Sequence, residues 1–431
     1  MAWNLLSQTI VKVTFVAYDK PDNVGGPPAW LQRLLPALRS RGIEVRCLFF
    51  LHWGETGPSV EFLRAQGFDC PAILAPATTE ERIFWILNQL RERPPDLFVP
   101  NLVVAAYLAA RWVRQAGIPT VGILHSDDAF YRGLQDQFVF GRPVDRLTVV
   151  VGVSLELERQ VMARKPETTR VARIGYGVPV PEMTVRRQSA GLRLAYVGRL
   201  AEQQKRISEV ARALCRVTRE VPGTTAVIFG DGPERVAVER ILASEGDGLP
   251  VRLGGLIDSN RIQEQLLDCD VIVLLSDYEG LPIALMEAMA CGCVPVCLRM
   301  RSGIPELVDD GVTGMLVGDR GDEFVAAIRR LGEDGELWQR LSLAARGRIV
   351  ERQSIEATTA QWVELLEATR RQFPPPSAIE LPGILRLPPV HPALASADPR
   401  RVMLPLPLRC YRRGRMLAGR VKRLLLRQSV S

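Results

Sequence analysis

The feature that most constrains the fold is a rhythm of short apolar, often β-branched runs separated by amphipathic stretches, and it occurs twice. The first set of predicted strands lies at 11–18, 44–51, 97–100, 120–125 and 146–153; the second lies at 192–198, 225–230, 251–254, 271–275 and 294–298. Helices are predicted between them, among others at 29–41, 207–221, 235–245 and 261–267. Strands that are apolar throughout, rather than at alternate positions, require cover on both sheet faces. Two such sets predict two doubly wound, Rossmann-like α/β domains with parallel sheets. The polar, proline-bearing stretch 180–191 marks the boundary, which gives domains at 1–184 and 185–355. A helical segment follows at 356–373, then a tail at 374–431.

In such sheets, ligands bind at the carboxyl ends of strands, beside helix N-termini. Four strand-to-helix loops are therefore informative. After the first strand, Gly25 and Gly26 allow close backbone approach to a ligand, or simply make a tight turn. A second loop carries Gly198, Arg199 and Lys205, two cations placed to clamp a diphosphate or to decorate a solvated turn. The third, around Gly230, reads as a tight turn into a helix.

The fourth loop is the most specific. Glu279, Gly280, Leu281 and Pro282 open a helix that carries Glu287 among apolar residues. A carboxylate in that setting needs partners. Ribose hydroxyls would serve, with phosphates at the helix N-terminus; an internal cap or ion pair is the alternative.

Glu279 and Glu287 bracket seven residues. With the text running on through Gly303-Ile304-Pro305-Glu306, this segment resembles glycosyltransferase family four, the retaining, E-x7-E, GT-B nucleotide-sugar transferases. The Gly25-Gly26 loop, His125, Ser154, Gly177-Val178, Gly198-Arg199 with Lys205, and Gly230-Asp231-Gly232 match in order, so the resemblance spans roughly residues 11–370.

The resemblance implies a GT-B fold with an interdomain cleft. The N-terminal domain would face the acceptor and the C-terminal domain the donor, with the 356–373 helix crossing back. It also implies roles. Arg199 and Lys205 would hold the diphosphate, and Glu287 would take the ribose hydroxyls. Glu279 would face the transferring sugar, with His125 close by. The Gly280 and Leu281 amides would meet sugar or phosphate, and Leu256 and Ile257 would contact the base. Asp127 and Asp128 would contact the acceptor or cap the next helix. Two positions depart from the family pattern: Arg206 where glycine is common, and Tyr176 where asparagine is usual.

The implied reaction is retaining transfer of a hexose from a nucleotide-diphosphate sugar to a glycan or lipid-linked acceptor, in cell-envelope or exopolysaccharide synthesis. A UDP-sugar is favoured; GDP- and ADP-sugars remain open. No cofactor or metal is expected if Arg199 and Lys205 neutralise the leaving group. The alternatives are a GT-B nucleotide-sugar epimerase and a non-catalytic scaffold. A dehydrogenase would need GxGxxG and a following acid, which do not occur in place.

Composition narrows the setting. Of the 431 residues, 47% are hydrophobic and 24% charged, as in globular proteins. The eight cysteines are scattered and sit mostly in apolar runs, and Cys291, Cys293 and Cys297 lack metal-ligand spacing, so a reducing, cytoplasmic location is expected. The start lacks the basic region of a signal peptide, and no long charge-free apolar stretch suggests a transmembrane helix.

The net charge of +7 belongs to the tail, where eleven Lys or Arg residues face Glu380 and Asp398. Ten of 31 prolines fall between Pro374 and Pro407, so that part is expected to run extended on or beyond the body. The segment 411–428, from Tyr411 to Gln428, places Leu417, Val421 and Leu424 among basic residues. It reads as an interfacial helix for the inner face of an anionic membrane, which would make the protein peripheral there. A solvated tail and nucleic-acid attraction are the alternatives, the latter the least favoured.

Overall fold

The computed structural model describes residues 10–21, 25–187, 191–258, 261–300 and 303–400. The N-terminal half alternates β1 (Lys12–Asp19), α1 (Gly26–Ser40), β2 (Glu44–Leu51), α2 (Pro58–Ala65), β3 (Ala72–Leu74), α3 (Thr79–Glu92), β4 (Leu97–Pro100), α4 (Val104–Gln115), β5 (Val121–Leu124), α5 (Ala129–Phe138), β6 (Val149–Gly152), α6 (Leu155–Ala163) and β7 (Arg170–Arg173). The C-terminal half continues with β8 (Arg193–Val197), α7 (Ile207–Glu220), β9 (Thr225–Phe229), α8 (Arg235–Glu245), β10 (Val251–Gly255), α9 (Ile262–Leu266), β11 (Val271–Leu274), α10 (Ile283–Cys291), β12 (Val294–Leu298), α11 (Ile304–Leu307), β13 (Met315–Val317), α12 (Asp322–Glu333), α13 (Gly335–Arg352) and α14 (Ile355–Arg371).

All named strand pairs are parallel. The first half orders its strands β3-β2-β1-β4, and a bridge from Phe98 to Thr120 leads on to β5-β6-β7. The second orders them β10-β9-β8-β11-β12-β13. Each is a doubly wound order that reverses once, between β1 and β4 and between β8 and β11. Every residue of β4, β5, β6 and β11 is buried, as expected of strands covered on both faces.

The predicted strands occur, with ends shifted by at most three residues. Three further strands, β3, β7 and β13, escaped sequence reading. All are sheet edges, only three or four residues long, and β7 carries an arginine at each end. An edge strand does not require a continuous apolar run, so the signal is absent.

Helix α14 returns to the first half. Trp362 is buried against Trp30 of α1, and Arg370 Nε donates to Asp96 Oδ1 at 2.8 Å. Beyond it, residues 374–400 run along the N-terminal half. Ser377 N donates to Ala116 O at 2.8 Å, Thr79 N to Pro399 O at 2.8 Å, and Ile379 and Leu394 are buried. The basic segment 411–428 lies outside the described residues. Among the described residues no helix is long and apolar enough to cross a membrane.

Candidate active site

The two halves meet along the carboxyl ends of their strands. Gly280 comes so close to the other half that a Cβ there would lie 2.9 Å from the His125 carbonyl oxygen. A Cβ on Gly26 would come within 3.3 Å of Ile283 at the start of α10. The Leu155 amide at the start of α6 donates to Glu306 Oε1 at 2.6 Å, which ties α11 to the N-terminal half. Between these contacts lies a cavity of about 300 Å³, lined by Ser126, Asp127, Asp128 and Ser154 on one side and by Tyr278, Glu279, Gly280 and Gly303 on the other.

The loops after β8 and β11, which flank the topological reversal, are clipped together. Lys205 Nζ lies 2.6 Å from Glu279 Oε1, and both side chains are largely buried. Gln204 Nε2 donates to the Tyr278 carbonyl at 2.9 Å and to Glu279 Oε2 at 3.3 Å, while its own carbonyl accepts from Asp277 N at 3.0 Å. Arg199 is exposed. Of the four side chains expected to grip the donor, Glu279 alone lines the cavity.

Glu287 is found in an ion pair, the alternative that its apolar setting left open. Instead of facing an open nucleotide site, it is buried and paired with Arg33 of α1, across the seam between the halves. Burial holds its carboxyl above the ordinary value of 4.5, and Arg33 pulls the other way. A carboxylate this deep needs a cation, and the opposite half supplies it.

His125 directly follows β5 beside the cavity, and its ring is buried with both nitrogens occupied: Nδ1 by the Tyr176 hydroxyl at 2.8 Å, Nε2 by Asn101 Oδ1 at 2.7 Å. An amide oxygen only accepts, so Nε2 carries the proton and Nδ1 accepts from tyrosine. The ring stacks on Tyr176 and meets Trp30 edge-on. Burial pushes the imidazole down to about 3. It is a neutral internal group, and its backbone carbonyl is what approaches Gly280.

The glycines serve the backbone. A Cβ on Gly230, whose φ is +135°, would collide with the Gly198 carbonyl, and Gly230 N donates to Gly255 O at 2.7 Å, so three strand ends are drawn together. Gly25 caps α1 with φ +149°. Leu281 is buried, Pro282 is the N-cap residue of α10, Leu256 is exposed and Ile257 half-buried. Asp128 caps α5 by accepting from Tyr131 N at 3.2 Å, and Asp127 accepts from Gln160 Nε2 at 3.0 Å. Both aspartates also line the cavity, so capping and contact with a bound molecule are compatible.

Both departures from the family pattern have physical accounts. Tyr176 is the hydrogen-bond partner of His125. Arg206 sits in the left-handed region (φ +51°, ψ +42°) at the start of α7, where glycine is favoured, and its guanidinium lies among Glu202, Glu209 and Asp277.

The triplet Asp268-Cys269-Asp270 has the spelling of a DxD metal motif. Asp270, however, is buried under Arg193 at 2.8 Å and lies at the amino end of β11, away from the cavity. Among the described residues no group of three or more His, Cys, Asp or Glu side chains is placed to hold a metal ion, and the seven described cysteines are buried free thiols.

Comparison with known proteins places these observations. A stretch of 148 residues is 32% identical to alpha-D-kanosaminyltransferase of Streptomyces kanamyceticus, covering 34% of this chain and 38% of that protein. Another of 184 residues is 33% identical to the amylovoran biosynthesis glycosyltransferase AmsK of Erwinia amylovora, covering 41% and 44%. The chain therefore spans under half the length of these two relatives. HepE of Anabaena, solved in complex with UDP and glucose, superposes with a TM-score of 0.67 at 18% identity, covering 83% of this chain and all of that one; the shared fold is GT-B. Residues 187–348, which carry the loops holding Lys205 and Glu279 and the helix holding Glu287, match the family model for glycosyl transferases, group 1.

Proposed function

We propose that this protein is a retaining glycosyltransferase that moves a hexose from a nucleoside-diphosphate sugar, a UDP-sugar in the first instance, to a glycan or lipid-linked acceptor. The observation that carries the reading is the meeting of Lys205 and Glu279 where the strand order of the C-terminal half reverses. That is where doubly wound sheets bind ligands. The match over 187–348 and relatives named as glycosyltransferases support it. A neighbour of the same fold that was solved with UDP supports the donor class.

The chemistry follows from charge. The sugar–phosphate bond breaks with positive charge on the sugar and negative charge on the departing diphosphate. An ammonium has three N–H donors. Lys205 uses one on Glu279 before the donor arrives and turns its donors to the phosphate when it binds, with Arg199 as a second cation. The start of α10 has no side-chain cap, so its first amides would be free to meet the same charge. Glu279 would hold sugar hydroxyls, and the acceptor hydroxyl would attack from the leaving-group face and pass its proton to the phosphate. Arg199 and Lys205 serve in place of a metal. Residues 1–184 form the acceptor side, 185–355 the donor side, and 356–373 the crossover. An acceptor enters past Asp127 and Asp128. The protein works on the cytoplasmic face of the membrane, held there by 411–428.

The test is to incubate the purified protein with UDP-, GDP- and ADP-sugars, with and without glycan acceptors, and to follow the anomeric protons by NMR. Release of nucleoside diphosphate with retained configuration is expected. Inversion, epimerisation of donor alone, or no turnover of any donor would each remove the proposal.

A further inference from the structure

Glu279 is held at both oxygens by neighbours of unequal kind. Oε1 meets the Lys205 ammonium at 2.6 Å; Oε2 meets the Gln204 amide at 3.3 Å. The second contact is uncharged and independent of the first. The same Gln204 nitrogen also reaches the Tyr278 carbonyl at 2.9 Å. Both groups facing it are acceptors, so only the NH2 end of the amide fits there.

The residue is fixed from behind as well. Its carbonyl accepts from Asp277 N at 3.0 Å, and next along the chain Lys205 and then Arg206, with positive φ, turn sharply into α7. Non-glycine residues in that conformation persist where surrounding contacts determine them, and they cluster at functional sites. Here the Arg206 contacts with Glu202, Glu209 and Asp277 hold that turn, and Gln204 sits two residues before it facing 277–279.

We infer that Gln204 is a positioning residue for Glu279: it keeps the carboxylate aimed into the cavity when Lys205 turns to the donor's diphosphate. The inference rests on the function proposed above. Without donor, Lys205 and Gln204 hold Glu279 jointly. As phosphate draws the ammonium away, an unanchored carboxylate would follow its cation and leave the sugar. With Gln204 in place, Oε2 stays fixed and Oε1 is released to accept a sugar hydroxyl. Phosphate grip and sugar orientation are thereby assigned to adjacent residues, 205 and 204, on one loop.

The test uses the full chain, with Gln204→Leu and Gln204→Glu beside wild type. The readouts are hydrolysis of whichever nucleotide sugar the wild type turns over, UDP affinity by calorimetry, and melting temperature. For Gln204→Leu, kcat should fall about tenfold, the scale of one hydrogen bond to a charged group, with UDP affinity within about twofold and an unchanged melting temperature.

Gln204→Glu supplies a readout that a structural role would not move. Ionised, it faces a carbonyl and a carboxylate with no proton to donate. Protonated, it donates one, so its kcat should recover relative to wild type as pH falls from about 8 toward 5. If wild type is active and Gln204→Leu keeps its kcat, or loses kcat and UDP affinity together, the inference falls and the function stands. A ratio of Gln204→Glu to wild type that stays flat with pH would likewise overturn the inference and leave the function in place. If wild type cleaves none of the nucleotide sugars, both fall.

Discussion

Two glutamates of one segment, Glu279 and Glu287, eight positions apart, meet partners of opposite origin. Glu279 sits on a loop at the cavity, shared by a lysine and an amide from its own half. Glu287 sits one helix further on, buried, with an arginine from the other half. The first pairing is made within one domain, so domain motion leaves it intact. The second crosses the seam. If the halves part, a buried carboxylate loses its cation. Sequence spacing therefore does not fix a carboxylate's use. What reaches it from elsewhere in the chain does.

The sharpest way to break this contrast is Arg33→Ala. Removing one partner of a buried pair costs about 3–5 kcal/mol. Denaturant unfolding should show that loss at pH 7–8. The pH dependence has a definite sign. The folded Glu287 carboxyl titrates above its ordinary 4.5, and Arg33 is what lowers it, so losing Arg33 raises it further. A raised carboxyl favours the folded state below the unfolded value, and this benefit is lost as pH rises through the folded value. The penalty of Arg33→Ala should thus be greatest at neutral pH and shrink toward 4.5. A penalty that is constant across this range would mean that the pair does not govern Glu287.

Lys205→Ala tests the other side. It should weaken UDP binding by about 1.5–3 kcal/mol, roughly ten- to 150-fold, and it should also cost stability, because the Glu279 side chain is buried, but less than Arg33→Ala does, because Gln204 still holds Oε2. The contrast lies in the readout: stability for Arg33, affinity for Lys205. Equal losses of stability in both variants would erase it.

How much of this was legible in sequence depends on the range of the cause. Strand positions were, because a buried parallel strand must be apolar along its length. The Lys205–Glu279 meeting was legible in outline, because sheet order places loops after β8 and β11 side by side. Arg33 was not. It lies mid-helix on α1, 254 residues from Glu287, and nothing local sets it apart from Arg39 or Arg41. Gln204 was equally silent, since an amide beside a lysine has no distinctive spelling. The bonding of His125 was silent too. Its partners, Asn101 and Tyr176, come from two other loops, and only tertiary structure shows both ring nitrogens taken.

That last point yields the smallest and most discriminating prediction. Tyr176→Phe removes the donor to His125 Nδ1 and leaves a buried lone pair unmatched, at a cost of about 1–2 kcal/mol. The folded imidazole titrates near 3 against 6.5 when free. Between those values the unfolded chain binds the proton more readily, so His125 makes the fold weaker as pH falls below 6.5. In the variant Nδ1 has lost its donor, so protonation in the fold is opposed less. The stability gap to wild type should therefore be widest at pH 7 and narrow on acidification. Donor turnover should change only as far as stability does, and neither protein's rate profile should carry a limb near 6.5. A fall in kcat at unchanged stability, or such a limb in wild type alone, would return His125 to the reaction centre. It would also move the boundary between the buried seam and the donor edge to the carboxyl end of β5.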